Sequence, residues 1–385
     1  MRKRFVRKAV FISACLGMLL FGITLITLGS VSQSVQERFS LDAESSGTLF
    51  SILPFGILAG SLVFGPFADR YGYKVVFLLA TVAMFLGFEG ISNAATLVVL
   101  KLSVFAFGFG GGCINGATNA VISDISTDEK SANLSILGVF FAIGALGMPF
   151  ILATLQDEFS IQSIVTIIGF LPLLFGVFFL LVSFPEAKQI KGTPLSTALA
   201  LLRNPWLLVI GFFLFCQSGF EAIINNWTTS FLMQENHVGS TAALYALTLY
   251  VAAMALMRVI MGSALRKVTP KIILFISIAF LLTGSVLMKF SSTYYESVGG
   301  LISIGAGLAA GFPVMLAFVG NRYHDVSGTA FSVVISIALV GNMFINYAMG
   351  IVARNFGVGH LATLSGILTV LMLISSIIIL KQSKS

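Results

Sequence analysis

Stretches of mostly apolar residues, each about the 20 residues that an α-helix needs to cross a bilayer, follow one another along almost the whole chain. Their expected extents are 9–35, 44–67, 76–93, 96–122, 131–154, 161–184, 205–233, 239–263, 271–290, 294–320, 327–350 and 358–380. The connections between them are too short for a soluble domain. Charge content points the same way: 10% of the 385 residues are charged, against roughly a quarter in a soluble domain. Too few charges are available to cover a water-facing surface. In lipid, helices satisfy their own backbone groups, so the chain is expected to be an all-α membrane protein of twelve spans.

The net charge of +7 raises nucleic acid as a partner, but its distribution argues for topology instead. With the N-terminus inside, Arg2, Lys3, Arg4, Arg7, Lys8, Arg70, Lys74, Lys130, Lys188, Lys191, Arg203, Arg266, Lys267, Lys271, Arg322, Lys381 and Lys384 fall on the inner side. Only Arg38, Lys101, Lys289 and Arg354 fall outside. This asymmetry predicts both termini in the cytoplasm and no nucleic-acid partner. The first apolar segment is long enough to span and is read as a helix of the protein, not a signal peptide. Cys15, Cys113 and Cys216 lie within spans without disulfide or metal spacing. Neither a P-loop nor a serine nucleophile motif is present, so no enzyme, metal or cofactor is expected. Gly108 to Gly112 sits inside a span with no strand before it, which favours helix packing through small residues over a phosphate cradle.

The longest polar interruption, from Phe184 to Pro205, divides the spans six and six. The expected organisation is a bundle over 1–184, a cytoplasmic linker over 185–204 and a bundle over 205–385. Sliding the second half onto the first by 197 positions superimposes seven glycine pairs: 22/219, 65/262, 87/284, 108/305, 110/307, 144/341 and 169/366. Lys74 then falls on Lys271, and Asp128 on Asp325. Such a repeat predicts two pseudo-symmetric six-helix bundles in parallel relation, an architecture of secondary transporters.

The loop after the second span reads Gly65-Pro66-Phe67-Ala68-Asp69-Arg70-Tyr71-Gly72-Tyr73-Lys74. Gly65 would permit close helix approach, Asp69 could cap the next element or pair across helices, and Arg70 and Lys74 would hold the loop inside. A decayed copy, from Gly262 through Arg266 and Lys267 to Lys271, follows the eighth span. This loop resembles the signature loop of the major facilitator superfamily. The resemblance implies the major facilitator fold, and it implies that Gly65, Asp69, Arg70, Gly72 and Lys74 serve gating between conformations. No nucleotide-binding motif accompanies the spans, so an ion gradient is the expected driving force.

Intramembrane polar residues are costly and mark function by default. Glu221 is the acid nearest a helix centre, and Gln217, Glu221 and Asn225 recur every four residues on one face of span seven, with Trp227 close by. The face could line a solute cavity, with Glu221 as proton-coupling or solute-binding group, or Glu221 could be a protonated strut between helices. Asn115 and Asn119 in span four, Asn342 and Asn346 in span eleven, and Gln33 in span one extend the polar set. Each Asn pair could serve solute or interhelical bonding. Arg258 reads as a snorkelling or loop-pairing residue.

Gly219-Phe220-Glu221 followed by Asn226-Trp227, with Gly108 and Gly110 running to Asn119, resembles the fucose–proton symporter family. That resemblance implies a sugar as the solute and protons as the coupling ion. The chain departs from it at Ala120, Asn115 and Gly29, where that family has a proline and two acids. The function expected is secondary transport of a small polar solute by a monomer in the inner membrane, with the solute and protons as partners. Two other readings stay open. The 36 phenylalanines and 13 methionines would suit an exporter of amphipathic compounds, and the absent acids would suit a sensor or scaffold that no longer transports.

Overall fold

A computed structural model describes residues 7–125, 130–185, 200–264, 268–323 and 327–382; the side chains of 69, 130–135, 262–264, 327–329 and 382 lie outside that description. The helices in chain order are α1 (Arg7–Ser30), α2 (Ser32–Phe39), α3 (Ala43–Tyr71), α4 (Tyr73–Asn93), α5 (Leu97–Ile125), α6 (Lys130–Leu155) and α7 (Ile161–Leu181). They continue as α8 (Pro205–Glu235), α9 (Ser240–Ala264), α10 (Pro270–Phe290), α11 (Tyr294–Arg322), α12 (Ser327–Phe356) and α13 (Leu361–Gln382). Twelve of them are long and apolar enough to cross a membrane. The exception is α2, an eight-residue helix that follows a break at Val31. The first span therefore ends at Ser30, short of the 35 expected.

The chain divides into two compact units, Met1–Leu41 with Ile52–Gly192, and Asp42–Ser51 with Thr193–Ser385. Most of the expected linker, 186–199, lies outside the described residues, as do Asp128 and Asp325.

Within each unit, glycines set the closest helix contacts, and the contacts repeat with the sequence. A Cβ on Gly108 of α5 would strike the backbone of Leu53 and Ile57 in α3; on Gly305 of α11 it would strike that of Tyr250 and Met254 in α9. Those partners are themselves 197 positions apart. Gly110 meets Ala80 and Met84, and Gly307 meets Ser277 and Leu281, again in register. Small residues let helices approach closely where lipid supplies no hydrophobic drive between them. The same reason explains why Gly56 of α3 meets Gly108 of α5, Gly60 meets the backbone of Phe109 and Cys113, and Gly112 meets that of Ile57.

Several helix ends are satisfied by nearby side chains. Asn204 caps α8 by accepting from the Trp206 and Leu207 amides at 3.1 and 3.2 Å, with Pro205 as first helical residue. Thr293 and Glu296 form a capping box on α11. Arg38 of α2 donates to the carbonyls of Ile91 (2.6 Å) and Ser92 at the end of α4. Its burial there lowers its pKa from the usual arginine value. In the second unit, Arg354 pairs with Glu44 and lies 3.9 Å from Asp42.

Candidate functional site

The site is built on α8, 31 residues long and therefore about 46 Å from end to end. It packs against α9, α11, α12 and α13 and is buried along most of its length. A helix buried along most of its length sends most of its polar side chains toward other helices.

Gln217 is fully buried, and its amide donates to the Leu308 carbonyl of α11 at 2.9 Å. Gly311, one turn further along α11, leaves room for the Gln217 carbonyl, which any Cβ there would strike. One turn along α8, the Glu221 carboxylate lies 3.9 Å from the Arg258 guanidinium of α9, with side-chain exposures of 17% and 31%. That separation is an ion pair beyond hydrogen-bond reach. Tyr250, two turns before Arg258 on the same face of α9, is fully buried with a hydroxyl that has no partner among the described residues. It lies within electrostatic reach of both charges. Arg258, expected as a snorkelling or loop-pairing residue, thus lies beside the Glu221 carboxylate. The sequence separates it from Glu221 by 37 positions, and only the α8–α9 packing brings the two together.

Further along α8, an amide relay crosses to α12. Asn226 donates to Asn346 (3.2 Å), Asn346 donates to the Asn342 side chain (3.1 Å), and Asn342 reaches Ser218 (3.4 Å). Asn226 and Ser218 add to the expected polar set. The side-chain carbonyls of Gln217, Asn225 and Asn226 have no partner among the described residues. Trp227 is 2% exposed and meets Phe50 edge-on at a ring separation of 5.3 Å. Its expected role as a stacking wall for solute finds no open face here.

The other expected residues are dispersed. Asn119 of α5 donates to the carbonyl and side chain of Asn115, at 2.8 and 3.0 Å. Gln33 sits on α2, beyond the first span, bonded to Glu37 at 2.6 Å. In the signature loop, Gly72 is the single residue between α3 and α4, held at φ 83°, where a side chain would be strained. Lys74 donates to the Leu180 carbonyl at the end of α7 (2.5 Å), and Arg70 lies over the Tyr71 ring. Gly65 meets nothing within 4 Å among the described residues, so the close approach expected there falls instead at Gly56 and Gly60. The Asp69 side chain, expected to cap or pair across helices, lies outside the described residues.

Similar proteins identify the family and the fold. A sequence profile of the Major Facilitator Superfamily matches residues 10–233 and 215–385. A 4-hydroxybenzoate transporter of Pseudomonas putida is 32% identical over 174 residues, covering 44% of this chain and 38% of the relative. The chain thus spans well under half the length of that transporter. An uncharacterized transporter of Sinorhizobium fredii is 24% identical over 345 residues, 88% of this chain and 89% of the relative. Among solved structures, a nucleoside transporter variant aligns with a TM-score of 0.80 at 17% identity, covering 97% of this chain and 99% of that one. A D-xylose–proton symporter does so with a TM-score of 0.80 at 14% identity, covering 96% and 97%. With the profile matched across both halves, and with twelve spans whose glycine contacts repeat in register, the chain belongs to the Major Facilitator Superfamily.

Proposed function

We propose that the chain is a monomeric secondary carrier of the inner membrane, with both termini in the cytoplasm, that moves a small hydroxylated organic anion by alternating access and couples it to protons through Glu221. The observation that carries this reading is the Glu221–Arg258 pair. Either charge alone is costly inside a membrane, and at 3.9 Å the two are held by charge without a shared hydrogen bond. Protonating Glu221 removes a negative charge from beside Arg258. A solute carboxylate restores one, and the planar guanidinium matches it with two parallel bonds. The unpartnered carbonyls of Gln217, Asn225 and Asn226 are acceptors for solute hydroxyls. The 4-hydroxybenzoate relatives carry a name that fits this chemistry.

A neutral sugar is the second reading. It is favoured by the number of amides on α8 and α12, and a D-xylose transporter of Levilactobacillus brevis is among the relatives, 23% identical over 128 residues. The test is reconstitution in liposomes, with a thermal-shift screen of hydroxylated aromatic acids, their methyl esters, pentoses and lipophilic cations. Acids are expected to protect and their esters not to. Uptake is expected to follow an inward proton gradient, and Glu221→Gln to lose accumulation while keeping exchange. Protection by pentoses alone would return the sugar reading, and protection by lipophilic cations alone would make the protein an exporter of amphipathic compounds. No counterflow with any of them would make it a sensor or scaffold.

A further inference from the structure

Between α10, α11 and α13 lies an open groove of about 480 Å³, walled by Phe275, Phe318, Ile377 and Leu380, with Lys271 and Lys381 also lining it. Its place is set by the ends of helices: α10 begins there and α13 ends there. The charge asymmetry of the sequence assigns that end to the cytoplasmic face.

Lys381 in the last turn of α13 complements the negative end of its helix, but Lys271 has no such reason. It is the second residue of α10, where the positive end of the helix dipole disfavours a cation. The preceding Thr269 makes no side-chain capping bond. Neither lysine has an ion-pair partner among the described residues. An anion at this end of the groove would answer the helix end and both lysines together. The four apolar walls demand that the same ligand carry a hydrocarbon chain. A contrasting groove of about 350 Å³ in the first unit, walled by Phe64, Phe67, Leu79 and Phe109, has no charged lining residue and suits any acyl chain.

We propose that the groove between α10, α11 and α13 binds one anionic phospholipid, with its phosphate held between Lys271 and Lys381 and an acyl chain against Phe275, Phe318, Ile377 and Leu380. The site is independent of the α8 constellation and does not depend on which solute is carried. A juxtamembrane lysine contributes enough attraction that the pair should favour an anionic over a zwitterionic lipid by about tenfold or more.

The test is native mass spectrometry of the delipidated protein reloaded with phosphatidylglycerol or phosphatidylcholine, with thermal shift alongside. The wild-type protein is expected to retain one phosphatidylglycerol at about a tenth or less of the concentration needed for phosphatidylcholine. Lys271→Gln/Lys381→Gln should erase that preference, and Lys271→Arg/Lys381→Arg should keep it. Equal retention of the two lipids by the wild type overturns the proposal without reference to any variant. An unchanged preference in the glutamine double variant overturns it too. Protection by inorganic phosphate equal to that by phosphatidylglycerol would mark a soluble-anion site and reject the lipid.

Discussion

Where α8 carries Gln217, Glu221 and Asn225, α1 carries Leu20, Thr24 and Leu28 at the positions 197 residues earlier. Opposite Glu221 stand Tyr250 and Arg258, whose counterparts in α3 are Leu53 and Ser61. The glycine contacts that hold these helices together recur in both units, so a shared scaffold holds two chemistries. In α1 the buried hydroxyls are consumed locally: Thr24, Thr27 and Ser30 bond the carbonyls four residues back, at 2.9, 2.7 and 2.8 Å. The Gln217, Glu221 and Asn226 side chains of α8 instead reach α11, α9 and α12. Of these two equivalent helices, only the second carries buried amides and a carboxylate that meet other helices.

The largest effect should come from exchanging the two chemistries. Glu221→Thr gives α8 the residue found in α1 and removes the carboxylate beside Arg258. Breaking a buried pair costs about 3–5 kcal/mol, and partial exposure should bring this to about 2 kcal/mol. Thr24→Val should cost less than about 1 kcal/mol. Apparent melting temperatures in detergent measure both, and Glu221→Thr/Arg258→Leu should recover most of the loss. Equal losses at positions 24 and 221 would break the comparison.

A smaller contrast concerns Gly22 and Gly219, which are equivalent in the repeat. A Cβ at Gly22 would strike the backbone of Phe141 and Ala145, whereas at Gly219 it would meet chiefly the Ile345 side chain at 2.5 Å. Backbone cannot yield as a side chain can. Gly22→Ala should therefore destabilise by about 2 kcal/mol and Gly219→Ala by about half that. The reverse order in thermal melts would show that the two seams differ in construction.

The smallest effect separates the starts of α3 and α9. Asp42, just before α3, accepts from the Ser45 amide at 2.9 Å. Hydrogen bonds from Ser45, with the Arg354 charge nearby, hold its pKa below the ordinary carboxylate value. Its counterpart before α9 is Gly239. A carboxyl whose pKa is depressed by folding stabilises above its unfolded value and loses that contribution as pH falls through the folded one. Asp42→Gly should lower the melting temperature slightly at pH 7, with the difference closing below about pH 4. A difference that grows on acidification would rule out this origin.

The spans were legible because hydrocarbon thickness imposes a length that few other structures share, and the repeat because glycines at close contacts tolerate no side chain. The break after Ser30 was not legible, since no proline or glycine stands at Val31 and the polar residues that follow still form a helix. Glu221 stood out through its four-residue ladder. Its partner did not, because pairing between neighbouring helices depends on rotation about their axes, which the spacing within one helix does not set. Trp227 looked available because its type suits ring stacking, and Phe50 is 177 positions away in the chain.

The self-contained hydroxyls of α1 have a mechanical consequence. A helix whose buried hydroxyls bond its own backbone can roll or slip along its neighbours without breaking those bonds, as a journal turns in a bearing. α8, fastened by Gln217 to α11 and by the Asn226–Asn346–Asn342 relay to α12, resists the same rotation like a keyed shaft. Rolling of α1 within the first unit is thus opposed mainly by shape, and movement of α8 within the second by bonds that must open one after another.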